Sequence, residues 1–138
     1  TKDIRNPDIS QKASLISAHA CVREMLLDMQ RELAEQNNVV MDGRDIGTVV
    51  LPRATVKIFL TASPEVRAKR RCDELSAKGQ KVDYNKVLKD IQQRDYQDTH
   101  REIAPLKMSR DSIKVDTSDM TIEEVLEKLK EIVAQKVG

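Results

Sequence analysis

Residues 56–65, V-K-I-F-L-T-A-S-P-E, join the clearest strand signal of the chain to its clearest helix start. Val56–Leu60 is rich in β-branched residues and is closed by turn-forming residues, which predicts a strand. Ser63 before Pro64 predicts a helix N-terminus, because serine caps free amides and proline fits the first helical position. The stretch therefore predicts a strand that leads directly into a helix.

The alternation of short apolar strands and helices continues on both sides of this stretch. Further strands are predicted at Val39–Met41, just before Asp42, and at Ile113–Val115. The predicted helices run from Ser10 to about Gln36, from Ser63 to about Ala77, from Asp83 to about Glu102, and onward from a capping box formed by Thr121 and Glu124. This pattern favours an α/β fold, a parallel sheet with flanking helices. Ligands of such folds lie beyond the carboxyl ends of the strands, which places residues 42–48 at the functional edge.

The composition narrows the classes of function. The 138 residues fit one domain, and 24 basic residues nearly balance 23 acidic ones, so no general field favours nucleic acid or a membrane surface. Aromatic residues make up only 2%, too few for base-stacking platforms. There is no apolar run of membrane-spanning length and no signal peptide. Cys21 and Cys72 lack metal-ligand spacing. We therefore predict a cytoplasmic protein with reduced thiols that binds neither nucleic acid nor membrane.

The segment Asp42-Gly43-Arg44-Asp45-Ile46-Gly47-Thr48 follows the apolar run at 39–41. Glycine lets the backbone turn tightly, and the planar guanidinium of Arg44 suits a phosphate. Asp42 and Asp45 could hold a hydrated Mg²⁺ or orient a sugar or base. An ordinary turn in which an aspartate pairs with the arginine fits the local pattern equally well, so both interpretations stay open.

Arg94, Asp98 and Arg101 share one face of the helix predicted from Asp83, because they follow one another at i, i+4 and i+7. Two guanidinium groups on one face form a phosphate clamp, and the acid between them can accept from a hydroxyl. A solvent-exposed ladder of salt bridges has the same pattern and is common on charged helices. Taken by itself, the pattern favours the ladder.

Ser14 and Arg23 lie on the helix predicted from Ser10. An unbroken helix would rotate them by about 180° and separate them by about 13 Å, so they can share a ligand only if the helix breaks. The weak stretch from Ser17 to Ala20 allows such a break. Without it, both are ordinary surface residues.

A basic cluster follows the strand at 56–60, formed by Arg67, Lys69, Arg70 and Arg71. It is either a solvated face or a site for nucleotide phosphates. No G-x-x-x-x-G-K-[ST] segment occurs in the sequence. Any anion site in this chain must therefore be built from a few placed arginines.

The motifs follow one another in a fixed order over nearly the whole chain. They are I-S-Q at 9–11 with A-S at 13–14, V-R-E at 22–24, D-G-R-D-I-G-T-V-V at 42–50, V-K-I-F-L-T-A-S at 56–63, the Arg94 to Arg101 spacing with A-P-L at 104–106, and V-D-T-S at 115–118. In this order they resemble cytidylate kinase of the bacterial type. The run at 42–50 beside the Arg94 to Arg101 spacing is the specific part of the resemblance, and the closing strand and helix are generic.

The resemblance implies phosphoryl transfer from ATP, with its Mg²⁺, to CMP or dCMP. It implies that Ser14, Arg23 and Asp45 read the cytosine edge, that Arg44, Arg94 and Arg101 hold the CMP phosphate, and that Asp98 contacts the sugar hydroxyls. It also implies that Asp42 supports hydrated Mg²⁺, and that Arg67 and Arg71, at the base of the lid, meet ATP. These implications overturn the ladder and surface interpretations given above.

The family also begins with a strand, a phosphate-binding loop and a helix, all of which would lie upstream of Thr1. The resemblance assigns residues 1–38 to the CMP-binding region and the following helix, and residues 39–138 to the rest of the kinase core, with the lid at about 63–105. In the family's sheet order, the upstream strand lies between Val39–Met41 and Val56–Leu60. We therefore expect a C-terminal fragment with a gap or an unprotected sheet edge, completed by the N-terminal segment or by another polypeptide. Alone, the chain is expected to have little or no kinase activity.

Three alternatives remain at this stage. The chain could belong to a kinase for another monophosphate, such as UMP or AMP, which Ser14, Arg23 and Asp45 disfavour. It could be a non-catalytic nucleotide-binding module, because it keeps acceptor-side residues and lacks the donor loop. It could also be a charged helical interaction domain that binds no nucleotide.

Overall fold

The computed structural model describes residues 7–17 and 19–138, apart from the side chains of residues 7, 8, 10, 11 and 14. These residues form α1 (Pro7–Ile16), α2 (Ala20–Gln36), a π-helix (Ile46–Val50), β1 (Ile58–Thr61), α3 (Pro64–Ala77), α4 (Tyr84–His100), β2 (Ile113–Asp116) and α5 (Ile122–Val137). None of the helices in this part of the chain is both long enough and apolar enough to span a membrane.

The strands β1 and β2 form a parallel pair, as predicted for an α/β fold. Ile58 lies opposite Ile113, and Thr61 lies opposite Asp116. The strand predicted at 56–60 begins two residues later than expected, although Lys57 accepts from the amide of Ile113 at 2.9 Å. Within the described residues the sheet has only these two strands, so the other edge of β1 carries no partner.

The predicted strand at Val39–Met41 is wrong for this structure. Residues 38–42 have no regular secondary structure, and Val40 is fully exposed. A strand needs a neighbour to satisfy its amides and carbonyls. No described strand pairs with this segment, so its apolar residues alone do not hold it in a sheet.

The helix predicted from Ser10 to Gln36 is two helices in the structure. The helix α1 ends at Ile16 and α2 begins at Ala20, so the chain breaks at the weak stretch identified from the sequence. The last turn of α1 closes with a 2.9 Å bond from the Ser17 amide to the Ala13 carbonyl. The break meets the condition under which Ser14 and Arg23 can approach one ligand. The end of α2 is as predicted, with Asn37 as its C-cap.

The helices α3 and α4 pack against each other as an antiparallel pair. Ser63 caps α3 by accepting from the Val66 amide at 3.2 Å, as predicted, and Asp83 caps α4. After α3 the chain turns at Gly79, whose φ of +75° suits a residue without a side chain. Ala68 and Leu75 are the buried apolar residues of α3.

The helix α5 begins with the predicted capping box, in which the side chains of Thr121 and Glu124 each bond the other's amide. Its apolar stripe is only partly covered. Ile132 is 4% exposed, whereas Ile122, Leu126 and Val133 on the same helix are largely exposed. Among the described residues, the buried apolar side chains are few: Val50, Ala62, Ala68, Leu75, Val115 and Ile132. The core is therefore small for a chain of this length.

Candidate functional site

A cavity of about 550 Å³ lies between α2, the segment at 42–50 and the chain just after α4. This volume is typical of a small-molecule site. Charged side chains from all three parts of the chain line it, namely Arg23, Glu24, Asp42, Arg44, Asp45 and Arg101. The structure thus brings together most of the residues predicted from separate motifs.

Asp45 is fixed at the start of the π-helix. Its carbonyl oxygen accepts from the amides of Thr48, Val49 and Val50 at 3.3, 2.8 and 3.2 Å. Asp45 is 8% exposed. Its carboxylate accepts from Nη2 of Arg23 and lies 3.8 Å from Nη2 of Arg101. A buried carboxylate therefore joins a guanidinium from α2 to one from the end of α4.

Arg101 is the C-cap of α4 and leaves the helical face that its spacing predicted. Its Nε donates to the carbonyl of Ala104 at 2.7 Å, across a turn in which Ala104 has a φ of +49°. Its Nη2 is buried and, within the described residues, has no hydrogen-bond partner. A buried donor without a partner is costly, so Arg101 presents a group suited to an incoming acceptor.

Asp98 is the second buried carboxylate of the site, 6% exposed. Its Oδ2 lies 2.8 Å from Nε of Arg44 and 3.9 Å from Nε of Arg94. The pair with Arg94 lies within α4, as the ladder interpretation requires, but Arg44 comes from the segment at 42–48. The turn interpretation, in which Arg44 pairs with a neighbouring aspartate, is not what the structure shows.

The four guanidinium groups of Arg23, Arg44, Arg94 and Arg101 therefore surround two buried carboxylates. Buried carboxylates are tolerated only when they are paired, and each of these two has two arginines. Glu24 and Asp42 also line the cavity, so its acidic and basic side chains balance. The arginines nevertheless suit a bound anion, since each presents a planar donor fork to phosphate. Chemically, the arrangement can bind a phosphate and offer acceptors to neighbouring hydroxyl or amino groups.

Ser14 and Asp42 are the predicted site residues whose side chains have no described contact to the arginines. The side chain of Ser14 lies outside the described residues, and only its place in α1 is known. Asp42 lines the cavity and is exposed. No group of three or more potential metal ligands occurs within the described part of the chain. A single exposed carboxylate fits a hydrated Mg²⁺ held through water, since this ion keeps several waters and uses few protein ligands.

Arg67 and Arg71 do not line this cavity. Arg67 binds both carboxylate oxygens of Asp95 on α4, at 2.9 and 2.5 Å, and donates to the Ala62 carbonyl at 3.0 Å. The hydrogen bond to Asp95 raises the pKa of Arg67. Arg71 lies 2.7 Å from Glu74, which also binds Lys78. The bonds from Lys78 and Arg71 lower the pKa of Glu74 to about 2.

One arginine beside the cavity was missed by the sequence interpretation. Arg31 on α2 donates from Nε to the Val50 carbonyl at 3.1 Å and from Nη2 to the Val49 carbonyl at 2.9 Å. The π-helix it contacts was also not predicted, because residues 42–48 were interpreted as a turn after a strand. The one available signal was the position of Arg31 on the same helix as Arg23, eight residues later.

Comparison with known proteins identifies the family to which this chain is similar. The family model described as cytidylate kinase matches residues 1–135. The chain is 51% identical to a cytidylate kinase of Caldicellulosiruptor saccharolyticus over 138 residues, which is all of this chain and 61% of that protein. It is 47% identical to one of Clostridium tetani, over 99% of this chain and 61% of that protein. It is 50% identical to one of Lactobacillus johnsonii, over 97% and 58%. The chain therefore spans about 60% of the length of these curated relatives.

Proposed function

The chain belongs to the cytidylate kinase family, and from this premise we propose that its protein transfers a phosphoryl group from ATP to CMP or dCMP. This chain would supply the acceptor site and the lid. The observation that carries the proposal is the cavity lined by Arg23, Arg44, Arg101 and the buried Asp45. Arg44 links this cavity to the buried Asp98, which also pairs with Arg94. Family membership supports the phosphate of CMP or dCMP as the bound anion.

Arg44, Arg94 and Arg101 are proposed to hold the CMP phosphate. Two of them, Arg44 and Arg94, meet at Asp98, and their side chains are 43% and 47% exposed, so a ligand can reach both. Arg101 adds its buried Nη2, which needs an acceptor. Three guanidinium groups can orient the phosphate so that one oxygen faces the donor in line.

Arg23 and Asp45, with Ser14, are proposed to read the cytosine edge, and Asp98 to accept from the sugar hydroxyls. A paired carboxylate and guanidinium offer both acceptors and donors, which is what the edge of cytosine requires. Selection by hydrogen bonds is strong because the wrong base leaves buried polar groups unpaired. Asp45 and Asp98 are the two buried carboxylates here, so a mismatch at either would be costly.

The chemical step needs little from side chains beyond position and charge. The arginines would align the acceptor oxygen and offset the charge that develops on the transferred group. Closure of the lid, the segment at about 63–105, would exclude water as a competing acceptor. Mg²⁺ bound with ATP would supply further charge neutralisation, and Asp42 would hold it through water.

The donor side is proposed to lie in the N-terminal part of the protein, either covalently linked or as a separate polypeptide. Two features support this division: the edge of β1 that has no partner among the described residues, and the exposed apolar residues of α5. Parallel sheets are usually covered on both faces, and exposed edges are usually protected. Residues 1–38 would form part of the CMP-binding region and the following helix, and residues 39–138 would form the remainder of the kinase core, including the lid. Arg67 and Arg71 would turn to ATP at the base of the lid. The proposal includes a cytoplasmic location, with which the free thiols of Cys21 and Cys72 agree.

A non-catalytic nucleotide-binding module is the second candidate. It is favoured by one observation: the acceptor-side residues are present, while no G-x-x-x-x-G-K-[ST] segment occurs in these 138 residues. Both candidates predict CMP binding and little turnover by this chain. They differ once the N-terminal part is added, because only the kinase then forms CDP.

The test is a calorimetric titration of CMP into this chain, with UMP as control and circular dichroism on the same sample. We expect CMP-selective binding that is lost in Arg101→Met and retained in Arg110→Met, which removes the same charge from an exposed position outside the cavity. Equal affinity for CMP and UMP would refute the cytosine assignments. A well-folded chain that binds neither nucleotide would refute the acceptor site. Formation of CDP by this chain alone at a normal rate would contradict the proposed donor-side division.

A further inference from the structure

We propose that Arg31 is a positioning residue of the acceptor site, and that it holds Asp45 in place by clamping the far end of the π-helix. The expected effect on CMP selectivity rests on the proposed function. Its structural part rests on contacts of Arg31 that the site assignments do not use.

The π-helix is short and has unusual hydrogen bonding, so it needs support from outside. Its first turn is built on one atom, the Asp45 carbonyl oxygen, which accepts from three successive amides. Its last turn closes with a 2.7 Å bond from the Leu51 amide to Ile46. Five-residue π-helices are rare and poorly stable by themselves, and the carbonyls at a helix end lack partners inside the helix. Val49 and Val50 carry two of these carbonyls.

Arg31 supplies the missing partners. One guanidinium donates through Nε to Val50 and through Nη2 to Val49, at 3.1 and 2.9 Å. A fork of two parallel donors fixes the orientation of the segment as well as its distance, which a single donor cannot do. Val50 is among the buried apolar residues, so the clamp also holds the segment against the core.

Two arginines of α2 therefore bind the segment 45–50 at its opposite ends. Arg23 binds the carboxylate of Asp45 before the π-helix, and Arg31 binds the carbonyls at its end. Arg23 binds a side chain that we assign to the cytosine edge. Arg31 binds only backbone, so its effect on a ligand must pass through the position of Asp45.

The test compares Arg31→Met, which keeps the aliphatic stem, with Arg31→Lys, which keeps the charge and one donor site, and with Arg110→Met as the charge control. In Arg31→Met we expect the amides of Val49, Val50 and Leu51 to exchange with deuterium roughly tenfold faster, while the amides of α3 are unchanged. Arg31→Lys should restore part of this protection. Unchanged exchange at 49–51, or equal acceleration throughout the chain, would overturn the proposal.

The functional arm measures CMP and UMP affinity of the same variants. Loss of two hydrogen bonds to a charged donor should lower the ratio of CMP to UMP affinity roughly tenfold in Arg31→Met, with partial recovery in Arg31→Lys. Arg44→Met, a phosphate-side change, should weaken both nucleotides and keep their ratio. An unchanged ratio in Arg31→Met would refute the role in positioning Asp45. If the parent chain binds no CMP, the proposed function fails, and the exchange experiment still decides whether Arg31 fixes the segment.

Discussion

The acceptor cavity and the apolar face of α5 differ in whether their side chains find partners among the described residues. At and beside the cavity, the buried carboxylates of Asp45 and Asp98 have arginine partners. On α5, Ile122 is 84% exposed, and Leu126 and Val133 are also exposed. Ile122 lines a shallow pocket with the exposed Leu60 of β1, a strand that has only one neighbour among the described residues. Polar cross-links hold the first region, whereas the second has apolar surface without cover.

This difference teaches that, within the described residues, the polar groups of the site find their partners while the apolar face of α5 does not. An ion pair forms between two side chains, so it requires only the two segments that carry them. This chain contains the segments of Arg23, Asp45, Asp98 and Arg101. A hydrophobic core of an α/β fold requires helices that pack on both faces of the sheet. The predictions below test whether the two regions differ in stability as they differ in contacts.

The largest effect is expected from two matched substitutions on α5. Ile132→Ala should lower the free energy of unfolding by about 3 kcal/mol, because it opens a cavity at a buried position. Ile122→Ala should change it by less than about 0.5 kcal/mol, since that side chain is already in water. Urea denaturation measures both. A large effect of Ile122→Ala would mean that the exposed face is covered in solution.

The next effect concerns the polar side of the comparison. Asp45→Asn should destabilise the chain by about 2 kcal/mol, because it leaves the guanidinium groups of Arg23 and Arg101, 19% and 22% exposed, without their counter-charge. Asp98→Asn should cost less, about 1 kcal/mol, since Arg44 and Arg94 are nearly half exposed and water replaces the lost partner. The same urea series measures this order, and its reversal would contradict the burial argument.

A smaller effect is expected at the contact between α3 and α4. A double-mutant cycle of Arg67→Ala and Asp95→Ala should give a coupling free energy of about 1 kcal/mol. The pair is bidentate, which favours it, but both side chains are more than a third exposed, so solvent screens it. A coupling near zero would mean that the helix pair is held by its apolar contacts alone.

The smallest effect is expected at Glu74, on the surface of α3. Its pKa is lowered to about 2 by Lys78 and Arg71, so its contribution to stability is present above its unfolded pKa, near 4.5, and is lost as the pH falls towards 2. Glu74→Gln should therefore lower Tm by less than about 2 °C at neutral pH, and the difference should vanish near pH 2. Thermal melts across this pH range check both the sign and the size. A difference that grows as the pH falls would contradict the assignment.

Features set by neighbouring residues were predictable from the sequence. The caps at Ser63 and Thr121 involve partners three residues away, and both are present as predicted. The parallel pairing of β1 with β2 also followed from the alternation of strands and helices. The strand at Val39–Met41 was wrong because a strand depends on a neighbour, which a local pattern does not contain.

The site was predictable as a set of residues but not as a set of pairs. The spacing of Arg94 and Asp98 indicated their contact, yet Arg44 reaches Asp98 from 54 residues away, a contact that only the fold creates. Arg101 leaves α4 because the helix ends at His100, and it then meets Asp45. Arg31 belongs to no recognisable motif. It binds backbone carbonyls, and because every residue has one, the sequence does not indicate which carbonyls it contacts.

The long connection between the paired strands has a consequence for the order of folding. Thr61, the last residue of β1, and Thr117, the residue after β2, are 56 residues apart, and the antiparallel pair α3–α4 lies between them. Closing so long a loop costs entropy before any strand contact forms, whereas neighbouring helices pair early. The contact of Arg44 with Asp98 closes a loop of similar length, 54 residues, while Arg23 and Asp45 are only 22 residues apart. In refolding, we expect the half of the site around Asp45 to form first, and the half around Asp98 to form later, in the same phase as the sheet.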